Sequence, residues 1–149
     1  MYDRILVATD GSENAADAID EAVALADGTG ASLHGIYAIE TRTAYDNAIV
    51  DPDEVERTLR EDGEEALAVL DERAAEAGIE AETAIRKGVP HEEILDYAAD
   101  HGVDLIVIGA TGRSAFKTVL LGSTAERVLR QAAVPVLVVG TEEDGAPDE

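Results

Sequence analysis

The chain has no cysteine and no tryptophan, and only one phenylalanine and one methionine. Without a thiol there can be no disulfide framework, no thiolate metal site and no cysteine nucleophile. Its three histidines, His34, His91 and His101, fall on a strand, a helix start and a helix end with no metal-ligand spacing, so no dedicated metal site is expected. His91 beside Glu92 and Glu93 reads as an exposed first turn rather than a catalytic pair. No segment approaches eighteen consecutive apolar residues, and Met1-Tyr2-Asp3-Arg4 runs into an apolar stretch without a basic leader or a cleavage-like site. The expectation is a soluble, cytoplasmic protein with no membrane partner.

Positive charge is scarce as well. Lysine and arginine together number 11 against 33 aspartates and glutamates, and lysine occurs only at Lys87 and Lys117. The net charge of -22 repels phosphodiester backbones and anionic lipid, which argues against nucleic acid as a partner. The acids are spread over every predicted helix surface instead of being massed in one tail. That pattern suits a halophile's cytoplasm better than the alternative, an ordinary acidic bacterial protein, because salt near 1 M cuts the Debye length to about 3 Å and makes such self-repulsion tolerable.

With 149 residues and no Pro/Gly/Ser-rich linker, the chain reads as one domain over residues 1–140 followed by an acidic flexible tail, 141–149. A domain of this size buries roughly 68–70% of its unfolded surface and needs no metal or disulfide to hold a core.

Ile5-Leu6-Val7-Ala8 and Leu105-Ile106-Val107-Ile108 are short continuous apolar runs, the pattern of strands covered on both faces. Leu33 to Ile39 and Pro135 to Val139 read as further strands. Glu80 to Lys87 alternates polar with small or apolar residues, as a strand near a sheet edge would. Between them lie helical patterns. Ala15, Ala18, Ile19, Ala22, Val23 and Ala26 form one apolar face, closed by Gly28 and Gly30. Asp51-Pro52-Asp53-Glu54 opens a long helix whose inner stripe is expected to be Val55, Leu59, Ala66, Leu70, Ala74 and Ala77. Pro90 starts a third helix, ended by His101-Gly102, and Ser123 to Gln131 forms the last. Strands alternating with helices imply an open, doubly wound parallel α/β sheet of five strands with helices on both faces, and the order expected for it is 3-2-1-4-5.

In such sheets ligands bind outside the carboxyl ends of the strands where the order reverses. Here those ends are Thr9-Asp10-Gly11 and Gly109-Ala110-Thr111-Gly112. Gly109 and Gly112 allow positive φ and a close backbone approach to a ligand. Ser123, with Glu126 three residues on, is placed to cap a helix whose N-terminus would accept a phosphate without any lysine. Each piece also has a structural reading, as a turn or as a capping box. Arg113 and Lys117, between the two glycine clusters, are equally suited to offsetting phosphate charge and to solvating the loop. Asp10 is suited to orienting a ribose hydroxyl or a Mg²⁺-bound water, and equally to capping the first helix. There is no G-x-S-x-G elbow and no Walker lysine motif, and no general base for a fast enzyme is identifiable, so no catalytic residue is assigned.

Gly109-x-x-Gly112, nine residues, then Gly122-Ser123 resembles the glycine pattern of the ATP-binding branch of the universal stress protein family. Val7-Ala8-Thr9-Asp10-Gly11-Ser12 is similar to that family's opening strand and acidic turn. Gly88-Val89-Pro90-His91-Glu92-Glu93-Ile94 is similar to its third-helix entry, and Pro135 to Val139 to its closing strand. The resemblance implies ATP, with Mg²⁺, as the bound cofactor. It implies Thr9, Asp10 and Ala38 around adenine and ribose, with Ile108 as an apolar wall. It also implies Gly109 and Gly112 near the ribose and first phosphates, and Gly122, Ser123 and Thr124 at the remaining phosphates. The family often has proline where Thr9 stands and a bulkier aliphatic where Ala38 stands, which implies looser adenine packing here. A homodimer paired through Val136 to Val139 follows from the same resemblance and would cover an apolar edge. Two functional classes stand: an ATP-binding regulatory protein with at most slow hydrolysis, or a non-nucleotide dimerisation and interaction module of the same fold.

Overall fold

The structure, a computed structural model, describes residues 2–40, 51–112 and 121–140. Its elements in chain order are β1 (Arg4–Ala8), α1 (Glu13–Thr29), β2 (Ser32–Ile39), α2 (Pro52–Glu76), β3 (Ala81–Lys87), α3 (Pro90–Asp100), β4 (Leu105–Gly109), α4 (Ser123–Gln131) and β5 (Val136–Val139). The five strands form one parallel sheet in the order β3-β2-β1-β4-β5, the expected arrangement.

Both faces of the sheet are covered, which is why its central strands are apolar throughout. Ile5 and Val7 point to one side with Leu33, Leu105 and Val107, where α1 contributes Ala18, Ile19, Ala22 and Ala26, and α2 contributes Leu70 and Ala74. Leu6 and Ala8 point to the other with Ile36, Ile106 and Ile108, under Ile94, Tyr97 and Ala98 of α3 and Ala125 and Val128 of α4. The period-2 alternation of strand side chains makes both sides apolar at once. β3 lies at an edge and is nowhere fully buried, which accounts for its mixed sequence.

Capping residues set the helix starts. Ser12 is the N-cap of α1, its hydroxyl accepting from Ala15 N at 3.2 Å, and Asp51 caps α2 by accepting from Asp53 N at 3.0 Å, with Pro52 in the first turn. The inner stripe of α2 differs from the expected one. Gly63, Ala66, Leu67, Leu70 and Ala74 are buried, whereas Val55 and Leu59 are only partly covered. At Gly63 the helix rests on the Tyr37 ring, where a Cβ would lie 2.7 Å from Cδ1, and that close approach sets the face α2 presents. His91 also departs from expectation. It is buried, because it falls on the inward side of α3 together with Ile94.

α4 is short and held by two inward residues, Ala125 and Val128, one turn apart. Full burial of Val128 contributes about 1.5–3 kcal/mol. A charge at that position would detach the helix whose N-terminus faces the crevice.

Candidate functional site

β1 and β4 lie side by side, and their chains leave in opposite directions. The segment after β1 enters α1 on one face, and α4 packs on the other. The divergence opens a crevice at the carboxyl ends of the two strands. A cavity of about 590 Å³ fills it.

On the β1 side, Thr9 continues the ladder beyond the strand by donating its N–H to Ile36 O at 3.0 Å, and its side chain is buried. Its hydroxyl accepts from Gly11 N at 3.2 Å, and Asp10 Oδ1 accepts from Ser12 N at 3.0 Å. The turn is therefore stabilised by its own side chains. Capping of α1 falls to Ser12 and not to Asp10, which leaves Asp10 Oδ2 against Gly112 so closely that a Cβ at Gly112 would collide with it.

On the β4 side, Ala110 N donates to Val139 O at 2.8 Å, and Ala110 O accepts from Gly122 N at 2.6 Å. The two glycine clusters are thus tied to each other across one residue. Gly109 lies over the first turn of α1, where a Cβ would be 2.8 Å from the Asn14 carbonyl carbon and 2.9 Å from its oxygen. Gly109 and Gly112 allow positive φ but do not adopt it. Left-handed backbone occurs instead at Gly11, Gly30, Gly78, Gly88 and Gly102. The site glycines serve close approach, not a special backbone conformation.

The N-terminus of α4 also differs in detail from the sequence reading. Its N-cap is Gly122, at φ -70 and ψ 161, with Ser123 as the first helical residue and no side-chain cap. The first helical bond runs from Glu126 N to Gly122 O at 2.9 Å, so the N–H groups of Ser123, Thr124 and Ala125 precede the intrahelical ladder. Three backbone donors and the positive end of the helix dipole face the crevice, which is the arrangement that accepts an anion.

Thr9, Asp10, Ala38, Ile108, Gly109, Gly112, Gly122, Ser123 and Thr124 all line this one cavity. Arg113 and Lys117 lie outside the described residues, as do the loop through Tyr45 and the tail 141–149. Other lining residues were not assigned to the site from sequence, Glu40, Ile94 and Thr111 among them. Glu40 follows β2 beyond Ala38, Ile94 reaches in from α3, and Thr111 sits between the first two glycines. Ile94 lay within a motif already quoted, but its direction depends on how α3 crosses the sheet. The acids at the wall are Asp10, Glu40 and Glu126, and the described lining residues include no lysine or arginine. Among the described lining residues, what faces a polyphosphate favourably is the set of backbone N–H groups at the start of α4. Mg²⁺ suits these acids, since it keeps most of its waters and needs only one or two carboxylates.

A second polar group lies four residues back along β2. His34 and His101, far apart in sequence, meet around Tyr97 with ring centroids 5.7 Å apart. Among the described residues no cluster of three or more His, Asp or Glu is arranged to hold a metal ion, and no helix is long and apolar enough to cross a membrane.

The profile of the universal stress protein family matches residues 1–140. The universal stress protein YxiE of Bacillus subtilis is 37% identical over 147 residues, covering 93% of this chain and 99% of that protein. Among solved structures, the protein MJ0577 of Methanocaldococcus jannaschii superposes with a TM-score of 0.85 at 31% identity, covering 95% of this chain and 97% of that one. A universal stress protein in complex with cAMP superposes with a TM-score of 0.71 at 29% identity, covering 93% and 97%.

Proposed function

The chain belongs to the universal stress protein family, and on that premise we propose that it is an adenine-nucleotide-binding regulatory protein whose ligand is ATP with Mg²⁺. The observation that carries the reading is the N-terminus of α4, which opens without a side-chain cap into a cavity of about 590 Å³ beside two glycines. That volume falls in the range of about 300–1,000 Å³ usual for small-molecule sites. The relative solved with cAMP supports an adenine nucleotide as the ligand class.

In this reading Ala38 and Ile108 pack on the adenine, and Thr9 and Asp10 face adenine and ribose. Gly109 and Gly112 let the backbone approach the ribose and first phosphates. Gly122, Ser123 and Thr124 hold the outer phosphates through backbone N–H groups, with Arg113 of the intervening loop adding charge. Mg²⁺ would supply the positive charge that the acidic wall lacks. Occupancy stabilises one conformation or assembly, which a partner protein then reads. The assembly proposed is a homodimer paired through β5 in the cytoplasm of a halophile. Light scattering at high salt tests it, and a monomer overturns it.

Thermal unfolding at high salt with and without Mg-ATP tests the nucleotide site. At a hundredfold excess over Kd the ligand adds about 2.7 kcal/mol, a Tm shift of roughly 5–11 °C for a chain of this length. The shift should vanish in a Gly122→Asp, Ser123→Ala double variant. No shift with any adenine nucleotide leaves the interaction-module reading.

A further inference from the structure

Asn14, in the first turn of α1, is 5% exposed, and its side-chain oxygen has no hydrogen-bond partner among the described residues. An unsatisfied buried amide oxygen costs about 1–3 kcal/mol. Among the described residues, the one side-chain hydrogen bond Asn14 makes runs from Nδ2 to Oγ1 of Thr111, at the lip of the cavity. Its own position is fixed twice, by the Ser12-capped start of α1 and by Gly109 packed directly on its backbone.

A threonine hydroxyl has one proton and two lone pairs. With one lone pair filled from the α1 side by Asn14, the proton is turned away from α1. Thr111 lies beside the start of α4, since a Cβ at Gly122 would be 3.5 Å from Thr111 Cα. We propose that Thr111 is a further ligand-contacting residue, a hydroxyl donor to a phosphate oxygen held at the α4 N-terminus, and that Asn14 is the positioning residue that makes it a donor. This rests on the adenine-nucleotide reading and deepens it. The phosphate subsite gains a side-chain donor that carries no charge, in a wall where Asp10, Glu40 and Glu126 leave net negative charge. The reversed amide, with Thr111 donating to Asn14 Oδ1, would instead present a lone pair to the ligand and repel a phosphate oxygen.

The test is calorimetric titration of ATP and of adenosine into the full chain at high salt. Four variants join the wild type: Thr111→Val, Thr111→Ser, Asn14→Asp, and Asn14→Asp with Thr111→Val. Circular dichroism and unliganded melting establish that each is folded, and Thr111→Ala replaces the valine variant if valine disturbs the turn. Loss of a hydrogen bond to a charged group weakens ATP by about tenfold or more in Thr111→Val, with adenosine within about twofold and Thr111→Ser restoring ATP affinity. Asn14→Asp can only accept, so it draws the Thr111 proton away and weakens ATP. In the Thr111→Val background only its added charge acts, so the same change costs less there. Equal weakening of ATP and adenosine in Thr111→Val, unchanged ATP binding, or strict additivity of the pair overturns the inference alone. A wild-type chain that binds neither ligand overturns the nucleotide reading with it.

Discussion

Nδ1 of His34 lies 2.7 Å from the hydroxyl of Tyr97, and the Tyr97 ring stacks on that of His101 at 3.8 Å between centroids and 15° between planes. One tyrosine thereby ties β2 to α3 and orders the end of that helix, where His101 Nδ1 is also 3.1 Å from Tyr97 O. The surrounding charges come from several elements. Glu82 of β3 is 3.9 Å from His34 Nδ1, the Arg86 guanidinium is 5.0 Å from the Tyr97 ring centre, and Asp100 of α3 is 3.6 Å from Arg86. Burial pushes the His34 pKa below its ordinary value, with His101 and Arg4 acting in the same direction and Glu82 opposing them.

Stability should therefore fall with pH in the window His34 controls. Because its folded pKa is lowered, the unfolded chain takes up the proton first as pH drops. The stabilisation is complete above about pH 6.5 and is lost as pH falls from there through the folded value. Melting temperatures measured between pH 7.5 and 5 at fixed salt should decline below about pH 6.5, and His34→Gln should flatten that decline. An unchanged slope in His34→Gln would assign the effect to other groups. Tyr97→Phe should cost about 1–3 kcal/mol at pH 7.5 by leaving the buried imidazole nitrogen without its partner.

This cluster also marks where the sequence stops being informative. Ile5–Ala8 and Leu105–Ile108 announce their strands because two-sided burial leaves no polar alternation to confuse them. Alternation of strands with helices announced the parallel sheet covered on both faces, and the order β3-β2-β1-β4-β5 is the one expected for it. The meeting of His34 with Tyr97 and His101 depends on the angle at which α3 lies on β2, which no local pattern encodes. The same holds for α2, whose buried stripe is set by Gly63 resting on Tyr37. Around the cavity, Gly109, Gly112 and Gly122 do come together, but the backbone detail at the start of α4 was not legible. Ser123 after a glycine looks like a cap until the backbone angles put Gly122 there. Asn14 gave no signal at all, since its interest comes entirely from a threonine 97 residues away.

Two of the site glycines, Gly109 and Gly122, should separate by experiment. A Cβ at Gly109 meets the backbone of Asn14, which cannot swing aside, so Gly109→Ala should destabilise the fold by about 1–3 kcal/mol. At Gly122 the nearest atom to a Cβ is Ala110 O at 3.4 Å and φ is -70, so the chain itself does not require glycine there. Gly122→Ala should keep stability within about 1 kcal/mol yet weaken ATP, because its methyl group enters the space between loop and ligand. Urea unfolding paired with ATP titration distinguishes the two. A Gly122→Ala chain that binds ATP as the wild type does would remove Gly122 from the phosphate site.

Ala38 is half-buried and lines the same cavity as Ile108. Enlarging it to valine should fill space beside the adenine without touching the phosphate end. Each methylene removed from water contributes about 0.8 kcal/mol, close to a fourfold change in affinity. Ala38→Val adds two methylene equivalents and should therefore tighten adenosine and ATP by similar factors of up to about fifteen. A selective gain for ATP would place the side chain near the phosphates, and a loss for both would mean that the adenine already packs against Ala38.

The charge distribution makes a prediction about salt that the fold alone would not. The described ion pairs, Arg73 with Asp20, Arg60 and Lys87 with Glu56, Arg86 with Asp100, and Arg130 with Glu126, involve partly or largely exposed side chains. Such pairs contribute roughly 0–1 kcal/mol each. With 33 acids and 11 bases, most carboxylates face like charge instead of a cation. Their mutual repulsion acts over about 10 Å at 0.1 M salt and about 3 Å at 1 M. Raising KCl from 0.1 to 2 M should therefore increase Tm by about 10 °C or more, equivalent to roughly 2.5–5 kcal/mol for a chain of this size. KCl is the informative salt, because sulfate would stabilise almost any protein by exclusion from its surface. A Tm that stays level down to 0.1 M KCl would mean that the acids are tolerated without salt, and would remove the argument for a halophile.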